Sequence, residues 1–583
     1  MSLLERAGQG LPLPPPEPMP LPDLRLRLPM RDGVRLDTSV WLPADRRAPV
    51  PAILLRTPYK ESTMGFRRLG VLRYVAAGYA VVIQQIRGVG RSEGRYSFNA
   101  PAERDDGFDS VEWIAAQPWC SGAVGMDGSS YVAMTQIAAA VARPPHLKCI
   151  VPAVPSLDFF REIPYGGGIF SRQHTLNWMR LVQIDSLNEL TAGFAGTLPL
   201  IANRANFERM TSRPLLGAAT GMLEGDYLQH YHDVLAHPTL DDWWRARTLS
   251  AVELAAIGIP VLVVNGNFDL GIGALTLWQG LHSGGAASTP HQLLVGPWDH
   301  GQCYAGGAPS HGPYVMGDAS VLDLGALRLA FFDRHLKDQG PGLPWADRVR
   351  VFITGSNQWR GFDRYPPAEA YTVAWHLASA GRANAVRGDG RLLRTPDAAQ
   401  VQPDQFVDDP ALPFVAGLAL ANEPDSQFDL RERERHHETL VYDSGPLAEP
   451  LTLLGEGAAE LHVAADVPDA DIVLWLAEHR ADGSTVCLAT GQLRLRYRDG
   501  FEAEHLLTPG EPVAVRIPLT YVAHQLPAGS RLRLLVGGSN FPLADTNPHT
   551  GGPIATETRL VSALQTVYHD AQRPSRLLWP VLA

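Results

Sequence analysis

Cysteine is scarce in this sequence and falls without pattern. Four residues, Cys120, Cys149, Cys303 and Cys487, are scattered through 583 positions. Such spacing suggests no disulfide framework and requires no oxidising compartment. No His, Cys, Asp or Glu cluster has metal-ligand spacing, and neither metal nor cofactor is expected. Basic charge is also short: 50 Lys and Arg stand against 61 Asp and Glu, a net charge of −11. That balance argues against nucleic acid or an anionic membrane surface as the partner. No run of about 18 apolar residues occurs, so no membrane span is expected. The N-terminal MSLLERAGQGLPLPPPEPMPLPDL lacks a basic segment followed by an apolar one, which reads against a secretory leader and for the cytoplasm. Its prolines predict an extended surface arm.

What is present is an ordinary globular composition, 45% hydrophobic and 19% charged, with a mean hydropathy of −0.08. The length suggests about three or four domains. Short alternating strands begin at LRLRLPMRDGVRLDTSVWLP, with an Asp32–Gly33 hairpin turn. The apolar runs PAILLRTPY, YAVVIQQIRG and KCIVPAVP, alternating with helical segments, predict a parallel sheet covered on both faces. Residues 1–155 are read as the first part of this α/β domain. Residues 156–249, rich in aromatics and helix formers, are read as a helical cap inserted into it. The sheet resumes over 250–345 with IGIPVLVVNGNFD and HQLLVGPWDH, then a helix in SVLDLGALRLAFFDRHLKDQG that ends at a Gly. Residues 346–583, from RVRVFITG onward, alternate at period two and predict a jelly-roll β-sandwich. RERERHH, at 431–437, alternates in sign and reads as a solvated loop or strand edge.

The chemistry centres on GMDGSSYVAMTQ, at 125–136. A predicted strand precedes its two serines and a helix-like stretch follows, the context a nucleophile elbow needs. A sharp turn demands small neighbours. Around Ser130, Gly128 and Ala133 are small; around Ser129, Asp127 and Tyr131 would crowd the turn. Ser130 is the better candidate, although Val132 stands where a second glycine is usual. Asp269 and His300 end the next two apolar strands, and catalytic groups gather beyond the carboxyl ends of such strands. The order Ser, Asp, His is that of α/β-hydrolases. Gly88 and Gly90 in QQIRGVGRSEG miss the register of a phosphate-binding loop.

These residues sit among MRDGVRLDTSVWLP, RTPYK, QQIRGVGRSEG, HPTLDDWW, GPWDH, FFDRHLK and GSNFPLADTNPHTGG. Together they resemble the cocaine esterase/NonD-type serine hydrolases, a group related to α-amino acid ester hydrolases, glutaryl-cephalosporin acylases and Xaa-Pro dipeptidyl peptidases. The resemblance implies an α/β-hydrolase domain with an inserted helical cap and a C-terminal jelly roll. It implies Ser130 as nucleophile, Asp269 as acid and His300 as base. It also implies an oxyanion hole made by the Tyr59 hydroxyl and the Tyr131 backbone N–H. The chain departs from the family's pattern at Ala133, for the last motif glycine, and at Phe268, where a Trp usually stands.

An apolar acyl pocket is expected from Tyr165, Phe170, Trp178, Phe268 and Trp298, with Trp178 foremost because related esterases place a cap tryptophan over the acyl group. The expected partner is a small-molecule ester or amide. Asp158 and Glu162 match no amine-binding carboxylate cluster, which favours a simple ester. An Xaa-Pro or other aminopeptidase, an acyltransferase, and a non-catalytic jelly-roll binding protein stay open as alternatives. Oligomeric state is open too, a homo-oligomer included.

Overall fold

The computed structural model describes residues 20–44, 47–59, 65–187, 209, 211–269, 273–283, 289–384, 388–397, 402–415 and 429–582. The expected proline arm lies almost wholly outside them.

The sheet of the hydrolase domain contains β1 (Leu24–Pro29), β2 (Arg35–Trp41), β3 (Val50–Thr57), β4 (Ala80–Gln85), β5 (Cys120–Ser129), β6 (Leu147–Ala153), β7 (Leu262–Gly266) and β8 (Gln292–Gly296). After a two-stranded hairpin, β9 (Ser310–His311) with β10 (Tyr314–Val315), it is completed by β11 (Val349–Ile353) and β12 (Gln358–Phe362). The spatial order is β1-β2-β4-β3-β5-β6-β7-β8-β11-β12. From β4 to β11 neighbouring strands run parallel. Runs that look uniformly apolar therefore serve two faces. Leu54 and Val82 enter one core cluster, Ile53, Val81 and Ile83 the other. The first cluster is closed by α2 (Ala102–Ala115) and α3 (Tyr131–Ala142), after α1 (Gly65–Ala76) on the opposite face. A Cβ at Gly107 of α2 would stand 2.6 Å from the Ala139 Cβ of α3, so glycine sets that close crossing.

The expected division at 345/346 falls just before two strands that extend the hydrolase sheet. β11 pairs in parallel with β8, and β12 pairs with β11, so both strands belong to the hydrolase sheet. RVRVFITG alternates like the strands after it, and alternation does not say which sheet a strand joins.

Between β6 and β7 the chain forms the cap, whose longer helices are α4 (Arg172–Leu187) and α5 (Gly225–Ala236). The C-terminal domain is an all-β jelly roll, with thirteen strands among the described residues from Ala370–Ala378 to Arg576–Leu582. Leu461, Val463, Leu474, Leu534, Val536 and Trp579 belong to its interior. A third apolar cluster joins all modules: Tyr59 and Tyr131 from the hydrolase domain, Phe159, Phe170 and Leu176 from the cap, Phe541 and Ile554 from the jelly roll. All four cysteines are buried free thiols. Among the described residues no helix is long and apolar enough to cross a membrane.

Candidate active site

Ser130 is the single residue between β5 and α3, with φ 60° and ψ −129°. A non-glycine residue holds such angles only where its surroundings force it. Here the Ser130 N–H donates to the Ala153 carbonyl of β6 at 2.9 Å, and the Ser130 carbonyl accepts from the Ala133 N–H at 2.8 Å. Gln136 fastens the turn from beneath, donating to the Gly128 carbonyl (3.0 Å) and accepting from Val151 N–H (3.0 Å). Gly128 has φ 142°, and a Cβ there would lie 2.2 Å from Val132 Cγ1. The residue in the place of the missing glycine is thus accommodated by the glycine that is present. Ser129 is 1% exposed and its hydroxyl is sealed in the interior without a hydrogen-bond partner.

Two neighbouring strands supply the other polar groups. The loops after β7 and β8 are laced together: Asn267 N–H donates to Gly296 O (2.7 Å) and Phe268 N–H to Trp298 O (3.0 Å). A Cβ on Gly266 would meet Trp298 O at 2.2 Å, so this approach requires glycine. The lacing brings Asp269 Oδ2 within 2.7 Å of His300 Nδ1, with the carboxylate 3% and the imidazole 31% exposed. Burial pulls the His300 pKa down, but the charge and hydrogen bond of Asp269, aided by the charge of Asp299, outweigh it and leave the pKa raised. Asp299 itself accepts from Gln302 N–H (2.6 Å) and faces His311 Nδ1 at 3.7 Å, the turn and local ion pair of an accessory group.

Tyr59 follows β3 and is 5% exposed. Its oxygen accepts the indole N–H of Trp178, on cap helix α4, at 3.1 Å. Tyr131 opens α3, so its N–H belongs to the first turn, where no intrahelical acceptor exists. Its hydroxyl accepts from Asn99 N–H (3.0 Å), and its ring stacks on Trp178 with centroids 6.0 Å apart. Trp178 therefore touches both expected oxyanion residues. One turn earlier on the same face stands His174, which the sequence reading missed. Burial, and then the charge of His300, bring its pKa down to about 4, which makes it a neutral imidazole beside the pair. The four-residue interval to Trp178 on an unremarked cap helix was the only sequence signal.

The other expected pocket residues lie elsewhere. Tyr165 and Phe170 are fully buried in the cap core; the Tyr165 hydroxyl donates to Val234 O (3.1 Å) and Phe170 packs on Tyr231. Trp298 is fully buried, donating to Ser320 O (3.1 Å) between Gly296 and Gly307. Phe268 turns toward His311 and Tyr314, with ring centroids 4.9 and 4.8 Å away. Asp158 caps Arg161 N–H (3.0 Å) and pairs with its guanidinium (2.6 Å). Burial pushes the Glu162 carboxyl up to about 8, against the N–H of Leu157 that donates to it. The glycine loop after β4 is structural: Gly88 packs where a Cβ would meet Tyr96 N at 2.0 Å, and Arg87 binds Asp106 and Asp32.

Residues 32–302 match the family described as X-Pro dipeptidyl-peptidase (S15 family), and residues 345–578 the X-Pro dipeptidyl-peptidase C-terminal non-catalytic domain. The chain is 31% identical to cocaine esterase of Rhodococcus sp. (strain MB1 Bresler), covering 95% of this chain and 97% of that protein. Among solved structures it resembles an aminopeptidase from a marine sediment archaeon, Thaumarchaeota archaeon, with a TM-score of 0.83 and 25% identity over 99% of both chains. It also resembles an α-amino acid ester hydrolase labelled with selenomethionine, with a TM-score of 0.80 and 24% identity over 96% of both.

Proposed function

Because the chain belongs to the cocaine esterase/NonD family of serine hydrolases and is an enzyme that cleaves carboxylic esters, we propose that it does so through an acyl-Ser130 intermediate with His300 as base and Asp269 as acid. The observation that carries this reading is the forced backbone of Ser130 between β5 and α3. The Nδ1–H of His300 donates to Asp269, which leaves the Nε2 lone pair to take the Ser130 proton as the hydroxyl oxygen attacks the ester carbonyl. The tetrahedral oxyanion is held by the Tyr59 O–H and the Tyr131 N–H. Accepting the Trp178 indole N–H uses a lone pair of the Tyr59 oxygen, so that bond does not consume the hydroxyl proton. Collapse expels the alcohol, which takes its proton from the imidazolium. Water, deprotonated by His300, then frees the acid and restores Ser130.

We favour a simple ester without a free α-amino group. An ammonium subsite needs carboxylates available to it. Asp158 is committed to Arg161, and Glu162, with its pKa pushed up to about 8, is mostly protonated at neutral pH. A panel of aryl esters and aminoacyl-proline substrates separates this from an aminopeptidase: efficient aminoacyl-proline cleavage would reverse it. Labelling with a fluorophosphonate tests the nucleophile. The expected adduct is on Ser130, lost in Ser130→Ala and kept in Ser129→Ala. An adduct on Ser129 refutes the assignment.

A further inference from the structure

Asp545 lies in the jelly-roll segment GSNFPLADTNPHTGG, more than 240 residues beyond His300 in sequence, and its side chain is completely buried. Its carboxylate is shared by two cap arginines: Arg172 Nη2 donates to Oδ1, and Arg213 Nη2 to Oδ2 at 2.7 Å. Its backbone N–H donates to Phe170 O at 2.8 Å, two residues before α4 begins. Arg172, the first residue of that helix, spends Nη1 on the carbonyls of Arg209 (3.2 Å) and Ser212 (2.9 Å). One jelly-roll carboxylate thus gathers separate cap segments at the N-terminus of α4.

The same helix carries Trp178. Six residues are about 9 Å of rise and about 600° of turn, which sets Trp178 roughly 120° around from Arg172. One side of α4 is therefore gripped by the jelly roll, while another holds the Tyr59 hydroxyl at 3.1 Å. Without the carboxylate two buried guanidinium groups would lack their shared counter-ion, and helix α4 would have to shift to rehydrate them.

We propose that Asp545 is a positioning residue for the oxyanion hole: through Arg172 and α4 it fixes Trp178, and through Trp178 the direction of the Tyr59 hydroxyl. The inference rests on the reading of Tyr59 as an oxyanion donor. It gives the domain whose family is described as non-catalytic a share in the rate of acylation.

The test uses the full chain with p-nitrophenyl acetate, kcat being expressed per site titrated with fluorophosphonate so that misfolded protein does not count. Asp545→Asn and Trp178→Phe are each expected to lower kcat on the order of 10–100-fold, the cost of a displaced catalytic group. KM should stay within about threefold, because the lost interaction is made in the transition state. The double variant should be no slower than the slower single. Multiplying effects, or a wild-type kcat in Asp545→Asn, overturn the proposal. If Asp545→Asn fails to fold, Arg172→Gln takes its place, with the same non-additivity against Trp178→Phe expected and multiplication again overturning it. Tyr59→Phe separates the premise from the inference. A wild-type kcat there removes the oxyanion reading and the proposal with it, whereas a loss of about 10²–10³ alongside multiplying effects removes the proposal alone.

Discussion

At Gly128, backbone and neighbour both forbid a side chain. Its φ is 142° and an added Cβ would stand 2.2 Å from Val132 Cγ1. Gly128→Ala should cost about 1–3 kcal/mol for the backbone, with a comparable steric share. Adding Val132→Ala should recover only the steric share, as read by denaturant unfolding. A change below about 0.5 kcal/mol in Gly128→Ala would contradict this account of the turn. His300 allows a prediction in pH. In the proposed mechanism its neutral form is the base, and its pKa is raised above the ordinary 6.5, so activity should fall as pH drops through a midpoint higher than 6.5. Asp299→Asn removes one of the charges that raise it, while an amide oxygen still accepts from Gln302 N–H. The acid limb of the kcat/KM profile should therefore move to lower pH with the plateau retained; an upward shift would show the sign to be wrong. Triad-like residue types alone decide little. Ser379, Asp404 and His569 also share hydrogen bonds of 2.7 to 3.1 Å, yet all three are buried. Exposure distinguishes Ser130 from such a buried network.

Elements are joined by charge as well as by apolar contact. Arg56 of β3, fully buried, reaches Glu103 of α2 at 2.8 Å. Arg56→Ala would leave Glu103 buried without its cation, Asp106 keeping Arg87, and should cost about 3–5 kcal/mol in unfolding experiments. A loss below about 1 kcal/mol would mean that the carboxylates rearrange. Much at this scale was legible: parallel strands, the cap insertion and the Ser, Asp, His loops follow from apolar runs broken at regular intervals. What was not legible depends on distant partners. RERERHH reads as solvated, yet Arg433 lies on the Trp475 ring at 4.0 Å and Glu434 pairs with Arg533 at 2.7 Å, both nearly buried. The helix Leu324–Leu336 ends before the expected glycine, with Asp338 taking positive φ. Trp178 was named for an acyl pocket, but its hydrogen bond to Tyr59 spans 119 residues and leaves no local trace.

For the whole molecule, the three modules form one working unit. The apolar cluster under the site takes Phe541 and Ile554 from the jelly roll. Leu216 N–H donates to Ala555 O, Leu240 N–H to Phe501 O (2.8 Å), and Tyr497 O–H to Pro238 O (2.8 Å). A chain cut after residue 362 keeps every strand of the hydrolase sheet but exposes the cap's underside. It should yield no soluble protein that reacts with fluorophosphonate; a soluble, reactive fragment would show that the cap stands without the jelly roll. β11 and β12 resemble sandwich strands in all but their hydrogen-bond partners, so alternation alone does not assign them to that sheet. The buried cysteines have a practical consequence. Cys149 and Cys303 are fully enclosed, Cys120 and Cys487 are 7% and 8% exposed, and burial raises the pKa of every thiol, Cys487 to about 12. Maleimide dyes should therefore ignore the native chain. Two engineered surface cysteines, one on the cap and one on the jelly roll, would carry a donor–acceptor pair without first removing any native residue, and energy transfer would then follow the cap during turnover.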